Sequence, residues 1–276
     1  MTQIPTGGAD SLLLQIPLPM EKKTALITGS TSGIGLAIAE AFAQKGFRIV
    51  FNGLEENGAD IAAQLAQKHQ IEFLFSGANM LSPAALRQMV QEATDRFGGV
   101  DVLINNAGIQ HVAPVEAFPE EKWDAILGIN LTAAFHLVKA VWPQMKTRRF
   151  GRIINIASAH GLFASEFKSA YVAAKHGLVG FTKTIALEGA PYGITANAIC
   201  PGYVRTPLVE KQVFDQAQAH HLPEEEVIRK VILAKQAIKE FVPVAAIAEL
   251  ALFLASEHAA TLTGAALPID GGWSAQ

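Results

Sequence analysis

The amino-acid sequence predicts an α/β fold, a doubly wound parallel sheet of about seven strands in a single domain. Three observations predict it. Short apolar runs alternate with segments of helical period along most of the chain. The first apolar run passes through a glycine-rich turn straight into a helix. Half of the 276 residues are hydrophobic, enough for a substantial core.

Taken in order, residues 1–21 are rich in Gly and Pro and read as a poorly ordered extension ahead of a domain spanning 22–276. The first twenty residues lack Lys and Arg and resemble neither a signal nor a transit peptide; Met20 is a candidate natural start. Residues 24–28 form the first strand. GSTSGIG (29–35) follows, then a helix with Ile34, Ile38, Ala41 and Phe42 on one face, closing at Gly46. Residues 48–52 are the second strand, 59–68 the second helix and 72–75 the third strand. Ser82 and Pro83 open the next helix as N-cap and first helical residue. A fourth strand, 100–105, runs into NNAG (105–108), and a long helical region from about 119 to 145 carries Asn130 in its middle. Residues 153–157 are the fifth strand, a helix follows to about 188, and 195–199 is the sixth strand. A charged, mainly helical insertion, about 203–242, leaves from that strand's carboxyl end and is placed to act as a lid. A helix (244–255) and a last strand (265–269) complete the fold.

Composition narrows the function. A formal net charge of −3, a pI near 6.2 and no run of Lys or Arg argue against nucleic acid as a partner. The one cysteine, Cys200, excludes a disulfide framework and a cysteine-rich metal site and reads as buried filler in a reducing compartment. No apolar run is read as spanning a bilayer, the best candidate being 244–255, and a cytoplasmic location is expected. No metal-ligand cluster is evident, so no metal is expected.

The chemistry is placed at residues 158–175, SAHGLFASEFKSAYVAAK, which supply a hydroxyl, a phenol and an ammonium in one span. Tyr171 and Lys175 are four apart on a helical segment and share a face. A phenol beside a cation has a lowered pKa and can accept an alcohol's proton near neutrality. Ser158 follows a buried strand, at the sheet's carboxyl end where open α/β sheets bind ligands. Singly these are a packed ring, a solvated charge and a turn serine; their combination points to catalysis.

Gly29, Gly33 and Gly35, with Thr31, Ser32 and Ile34 between them, allow a tight turn that brings a pyrophosphate to N–H groups at a helix N-terminus. The second strand ends in Asn52-Gly53-Leu54-Glu55-Glu56. No Arg or Lys stands there to take a 2′-phosphate, and two glutamates repel one, so NAD is expected over NADP. Asn52 replaces the usual acidic residue and can still hydrogen-bond a ribose hydroxyl.

With the glycine turn, NNAG, Ser158, Tyr-x-x-x-Lys and Pro201-Gly202 in this order, the chain resembles the short-chain dehydrogenase/reductase family over roughly residues 22–273, a Rossmann-type fold. The resemblance implies that Ser158 holds the substrate oxygen and that Tyr171 is the base. It implies that Lys175 binds the nicotinamide ribose and depresses the tyrosine's pKa, and that Asn130 positions a proton-relaying water. It places Asp101 and Asn106 along the adenosine half of the cofactor and Asn79, where Asp is common, against adenine. Ala107, Gly108, Pro201, Gly202 and Val204 also belong to the cofactor site, with Thr206 near the nicotinamide amide. A homotetramer is the family's usual assembly.

The longer strings, among them NNAGIQH, INIASAHG, KSAYVAAKHG and NAICPGYVRTPLVEKQ, are similar to bacterial members of that family that oxidise D-3-hydroxybutyrate to acetoacetate with NAD. This implies a carboxylate site of Gln110, His160, Lys168 and Gln212, and a pocket wall that includes Trp273 and Tyr203, the latter where those relatives have Trp. Phe163 is the candidate to compensate. The alternatives are a reductase of 3-oxoacyl thioesters, a dehydrogenase of a related small 3-hydroxy acid and, least favoured, a non-catalytic NAD-binding protein. The intact Asn130, Ser158, Tyr171 and Lys175 set speaks against the last.

Overall fold

A computed structural model describes residues 22–275 apart from 207–208, 211–212, 215–216 and 219–221. The expected extension at 1–21 and the expected substrate ligand Gln212 lie outside the described residues. The strands are β1 (Thr24–Ile27), β2 (Arg48–Asn52), β3 (Phe73–Ser76), β4 (Val102–Asn105), β5 (Gly151–Ile156), β6 (Ile194–Pro201) and β7 (Ala266–Ile269). All pair in parallel, in the order β3-β2-β1-β4-β5-β6-β7. β1, β4, β5 and β6 are buried along their whole length, which is why they read as continuous apolar runs without alternation.

The helices are α1 (Gly33–Gln44), α2 (Gly58–His69), α3 (Pro83–Phe97), α4 (Glu120–Leu127), α5 (Ala133–Arg148), α6 (Ser169–Gly189), α7 (Glu224–Val227) and α8 (Val244–Ala255). On one face of the sheet Ile38 and Phe42 of α1 and Ile247 and Leu254 of α8 pack on Ile27, Phe51 and Ile104. On the other, Leu86 and Met89 of α3 and Leu137 and Val141 of α5 cover Leu26, Val50 and Leu103. The strand order reverses between β2-β1 and β4-β5, and the crevice this opens beyond the strands' carboxyl ends is where such sheets hold ligands.

Two features depart from expectation. The long helix is broken at its middle by a π-helical turn, Gly128–Thr132, because both polar atoms of Asn130 bind the backbone of Ile109: Oδ1 accepts from its N–H and Nδ2 donates to its carbonyl, each at 2.9 Å. Taken through this turn, Glu120–Arg148 is a 29-residue helix, long and apolar enough to cross a membrane by length and composition, where the sequence offered 244–255 as the best candidate. Its Ile126, Leu137, Val141 and Met145 are instead buried within the protein.

The segment after β6 stands apart from the sheet. Val209, Val213, Val227, Ile232 and Leu233 form a small apolar core of their own. Its two roots meet where Val204 pairs with Val242 and the Val242 N–H donates to the Tyr203 carbonyl at 2.8 Å.

Candidate active site

A cleft of about 430 Å³ runs along the sheet's carboxyl edge. The β1–α1 turn forms one end. Gly29 sits at φ +59°, and a Cβ on Gly35 would come within 2.1 Å of the Gly29 carbonyl oxygen, so the turn closes only with glycine there. Ser32 is the N-cap of α1 and makes no side-chain cap bond, which leaves the helix's first N–H groups to the cleft that Ser32, Gly33 and Ile34 line.

Several residues expected on the cofactor also bind the protein itself. Asn52 is 2 % exposed; its Oδ1 accepts from Gly29 N–H (3.2 Å) and its Nδ2 donates to the carbonyls of Ser76 and Ala78 (both 3.0 Å). Both amide hydrogens are spent in tying β1, β2 and β3 together, and Asn52 lines the cleft with a second Oδ1 lone pair left to accept from a hydroxyl. Thr31 is buried and donates its hydroxyl to Glu55, which holds that carboxylate below its usual range. Glu55, Gly53 and Leu54 line the cleft, so a stabilised negative charge stands at its adenosine end. Asn106 lines the cleft while its Nδ2 donates to the carbonyls of Thr28 (2.8 Å) and Gly29 (3.0 Å). Asp101 is misplaced by the sequence reading. It stands at the amino end of β4, accepts from Thr24 N–H (2.7 Å), pairs with Arg148 and lies at the sheet edge opposite the cleft. Asn79 lines the adenosine end beside Ala78 and Met80, its Oδ1 accepting from Leu81 N–H.

At the other end of the cleft stand Ser158, Tyr171 and Lys175, with Ala107, Gly108, Pro201, Gly202, Val204 and Thr206. Ser158 lies two residues past β5 and caps a 3₁₀ turn, Ala159–Gly161. Lys175 is buried; its Nζ donates to the Ile156 carbonyl (2.8 Å) and lies 5.6 Å from the centre of the Tyr171 ring. Burial pulls the Lys175 ammonium down to about 8, which still leaves it charged at neutrality. The expected lowering of the Tyr171 pKa is reversed within the protein alone, because burial pushes the phenol up and outweighs a hydrogen bond from Ser158 that pulls it down.

A chamber of about 70 Å³ adjoins the cleft and unites Gln110, Ser158, His160, Lys168, Tyr171, Tyr203 and Trp273, with Val209 from the lid. Phe167, at φ +63°, turns the chain before Lys168 and α6, and its carbonyl accepts from Ala113 N–H. Lys168 and Gln110 both line this chamber. Burial holds the Lys168 ammonium down to about 8, and its Nζ lies 3.5 Å from the Tyr203 hydroxyl. The Nε2 of Gln110 is buried and has no hydrogen-bond partner among the described residues. The walls are aromatic. Tyr203 stacks on Trp273 (5.5 Å, 8°) and Phe163 lies 4.7 Å from the same indole. His160 lines the chamber as a neutral ring: burial, then the positive Lys168, Lys235 and His176, hold its pKa to about 3, and its ring nitrogens face Ser158 and Ser165. Nothing in residue spacing signalled Ser165 or Val209, which meet the site only through the fold. Among the described residues no group of His, Cys, Asp and Glu could hold a metal.

A parallel sheet with its cleft at the strand-order reversal, joined to a Ser-Tyr-Lys chamber, is an architecture for dinucleotide-linked oxidation and reduction. The chain belongs to the short chain dehydrogenase family, which matches residues 23–217. It is 52 % identical over 256 residues to D-beta-hydroxybutyrate dehydrogenase of Rhizobium meliloti (strain 1021), covering 92 % of this chain and 99 % of that protein. It is 55 % identical over 256 residues to the protein of the same name from Cupriavidus necator, covering 92 % and 98 %. Among solved structures, a variant actinorhodin polyketide ketoreductase with NADPH superposes with a TM-score of 0.87 at 34 % identity, covering 92 % of this chain and 98 % of that one.

Proposed function

We propose that this chain interconverts D-3-hydroxybutyrate and acetoacetate with NAD. The observation that carries the proposal is the chamber, which brings the Lys168 ammonium and Gln110, whose Nε2 has no hydrogen-bond partner among the described residues, into an aromatic box with Ser158 and Tyr171. A small 3-hydroxy acid has one carboxylate for the donors, one alcohol for the Ser-Tyr pair and a methyl end for the aromatic wall.

A nicotinamide dinucleotide fits the cleft on three counts: the uncapped start of α1, the Gly29–Gly35 approach that only glycine allows, and open lining from Glu55 to Thr206. Glu55, held ionised by Thr31, disfavours a 2′-phosphate, which supports NAD over NADP. When bound, the dinucleotide supplies the hydride acceptor. Ser158 holds the alcohol oxygen, and Tyr171 takes its proton as the carbon–oxygen double bond forms. Lys175, fixed by the Ile156 carbonyl, supplies the positive charge that offsets the burial of the phenolate. Asn130 fixes the Ile109 segment at the cleft's edge, with its side chain committed to that backbone. The proposal includes a cytoplasmic homotetramer; Phe135 of α5, 45 % exposed and in edge contact with Phe181 of α6, gives an apolar face suited to a second copy.

The test is the initial rate of reduced dinucleotide formation from D- and L-3-hydroxybutyrate, with NADP run beside NAD. Fast NAD-linked oxidation of the D-enantiomer alone is expected. Preference for NADP, with turnover of 3-oxoacyl thioesters instead, would overturn the proposal.

A further inference from the structure

We propose that Ser165 is a positioning residue: its hydroxyl donates to Nε2 of His160 and so fixes the ring proton on Nδ1, directed at Ser158 Oγ. The inference rests on Ser158 and Tyr171 being the alcohol-handling pair; it does not depend on which acid is the substrate.

His160 is 5 % exposed, and its ring is enclosed by Trp273, Phe163 and Tyr171 at centroid distances of 5.2, 6.0 and 6.1 Å. Each nitrogen therefore keeps one neighbour. Nε2 lies 2.9 Å from Ser165 Oγ, and Nδ1 lies 3.5 Å from Ser158 Oγ, the long end of such contacts. The groups that face the ring electrostatically are Lys168, Lys235 and His176; with burial they keep it neutral. A neutral imidazole carries one donor and one acceptor. The two serine contacts are thus coupled, and whichever hydroxyl donates to the ring, the other must accept from it.

The single proton of Ser158 decides the direction. Ser158 Oγ already accepts from the His160 backbone N–H (3.1 Å). It lines the chamber beside the Tyr171 phenol, and in the proposed reaction its hydrogen goes to the reacting oxygens, where a donated hydrogen bond favours the phenolate. A hydroxyl has one hydrogen, and Ser158 cannot give it both to the reacting oxygens and to Nδ1. Nδ1 must then be the donor and Nε2 the acceptor, and Ser165 supplies the proton that Nε2 accepts. The result is a head-to-tail chain, Ser165 to His160 to Ser158 to Tyr171, in which each donor polarises the next. No proton changes owner along it; the chain only orients. The opposite tautomer would draw Ser158's hydrogen away from the reaction. Ser165 lies in the loop between the 3₁₀ turn and α6, so it reaches the reacting atoms only through His160.

The tautomer can be read directly. Histidine is labelled with ¹⁵N, the His160 signals are assigned by their loss in His160→Gln, and the ring nitrogen shifts are compared in wild type, Ser165→Ala and Ser165→Thr. Wild type is expected to carry the proton on Nδ1, the form free histidine in water populates less. Ser165→Ala should move it to Nε2 and lower kcat for D-3-hydroxybutyrate about tenfold, the equivalent of one hydrogen bond, with dinucleotide affinity unchanged. Ser165→Thr should restore both tautomer and rate. A wild-type proton on Nε2, a Ser165→Ala protein that keeps Nδ1–H, or a rate loss that Ser165→Thr does not rescue would each overturn the proposal. Should wild type fail to oxidise 3-hydroxybutyrate at all, the substrate assignment falls, and the ring nitrogen shifts alone still decide the role of Ser165.

Discussion

At the scale of single residues, most of the site was legible because its chemistry depends on residue types at fixed spacing. Tyr171 and Lys175 meet on one helical face, and the chamber brings Gln110, His160, Lys168, Tyr203 and Trp273 together as expected. Spacing shows which residues are near a site and not what their polar atoms already bind. Asn52, Thr31 and Asn130 have their side chains committed within the protein. Asp101 could have been excluded on principle, since it opens a strand and such clefts gather strand carboxyl ends. The sign of the Tyr171 shift was missed because the cation's effect was weighed without burial. Lys168 gives the sharpest prediction at this scale. In the free protein it is charged below about pH 8 and neutral above it. Lys168→Ala should lower kcat/KM for the hydroxy acid by about 10- to 100-fold near pH 6.5, the range for a charged hydrogen bond, with little change in KM for the dinucleotide. The wild-type advantage should shrink as pH rises through about 8, whereas a ratio constant across that range would show that Lys168 does not hold the anion as a cation.

At the scale of elements, strand and helix order followed from apolar runs and glycine punctuation, with ends displaced by only a few residues. The break at Gly128–Thr132 left no periodic signal, because its cause is a contact with Ile109 some twenty positions away. The insertion after β6 was legible as a change of composition; its private core and the Val204–Val242 pairing were not. Asn52 acts at this scale, since one buried amide joins the ends of three neighbouring strands. Asn52→Ala leaves the Gly29 N–H and the Ser76 and Ala78 carbonyls without that partner, and should cost about 2–4 kcal/mol of stability. Chemical denaturation checks this. A loss below about 0.5 kcal/mol, the scale of an ordinary surface substitution, would mean that the strand ends are held by other contacts.

At the scale of the whole molecule, the polar groups divide between the two edges of the sheet. The carboxyl edge carries the cleft and chamber, while the amino edge is stitched by Asp101 with Arg148 and by Glu257 with Lys23 and Arg152. Between them lies Cys200, the one thiol in the chain, fully buried in β6 and pushed by burial to about 11. At pH 8 only about one thiol in a thousand would be ionised, and none of it reaches solvent while β6 stays paired. Its alkylation therefore serves as a clock for the opening of the sheet. Labelling should be negligible in the folded protein, should accelerate with denaturant in step with loss of structure, and should slow when dinucleotide is added, because a ligand that binds only the closed sheet makes each opening rarer.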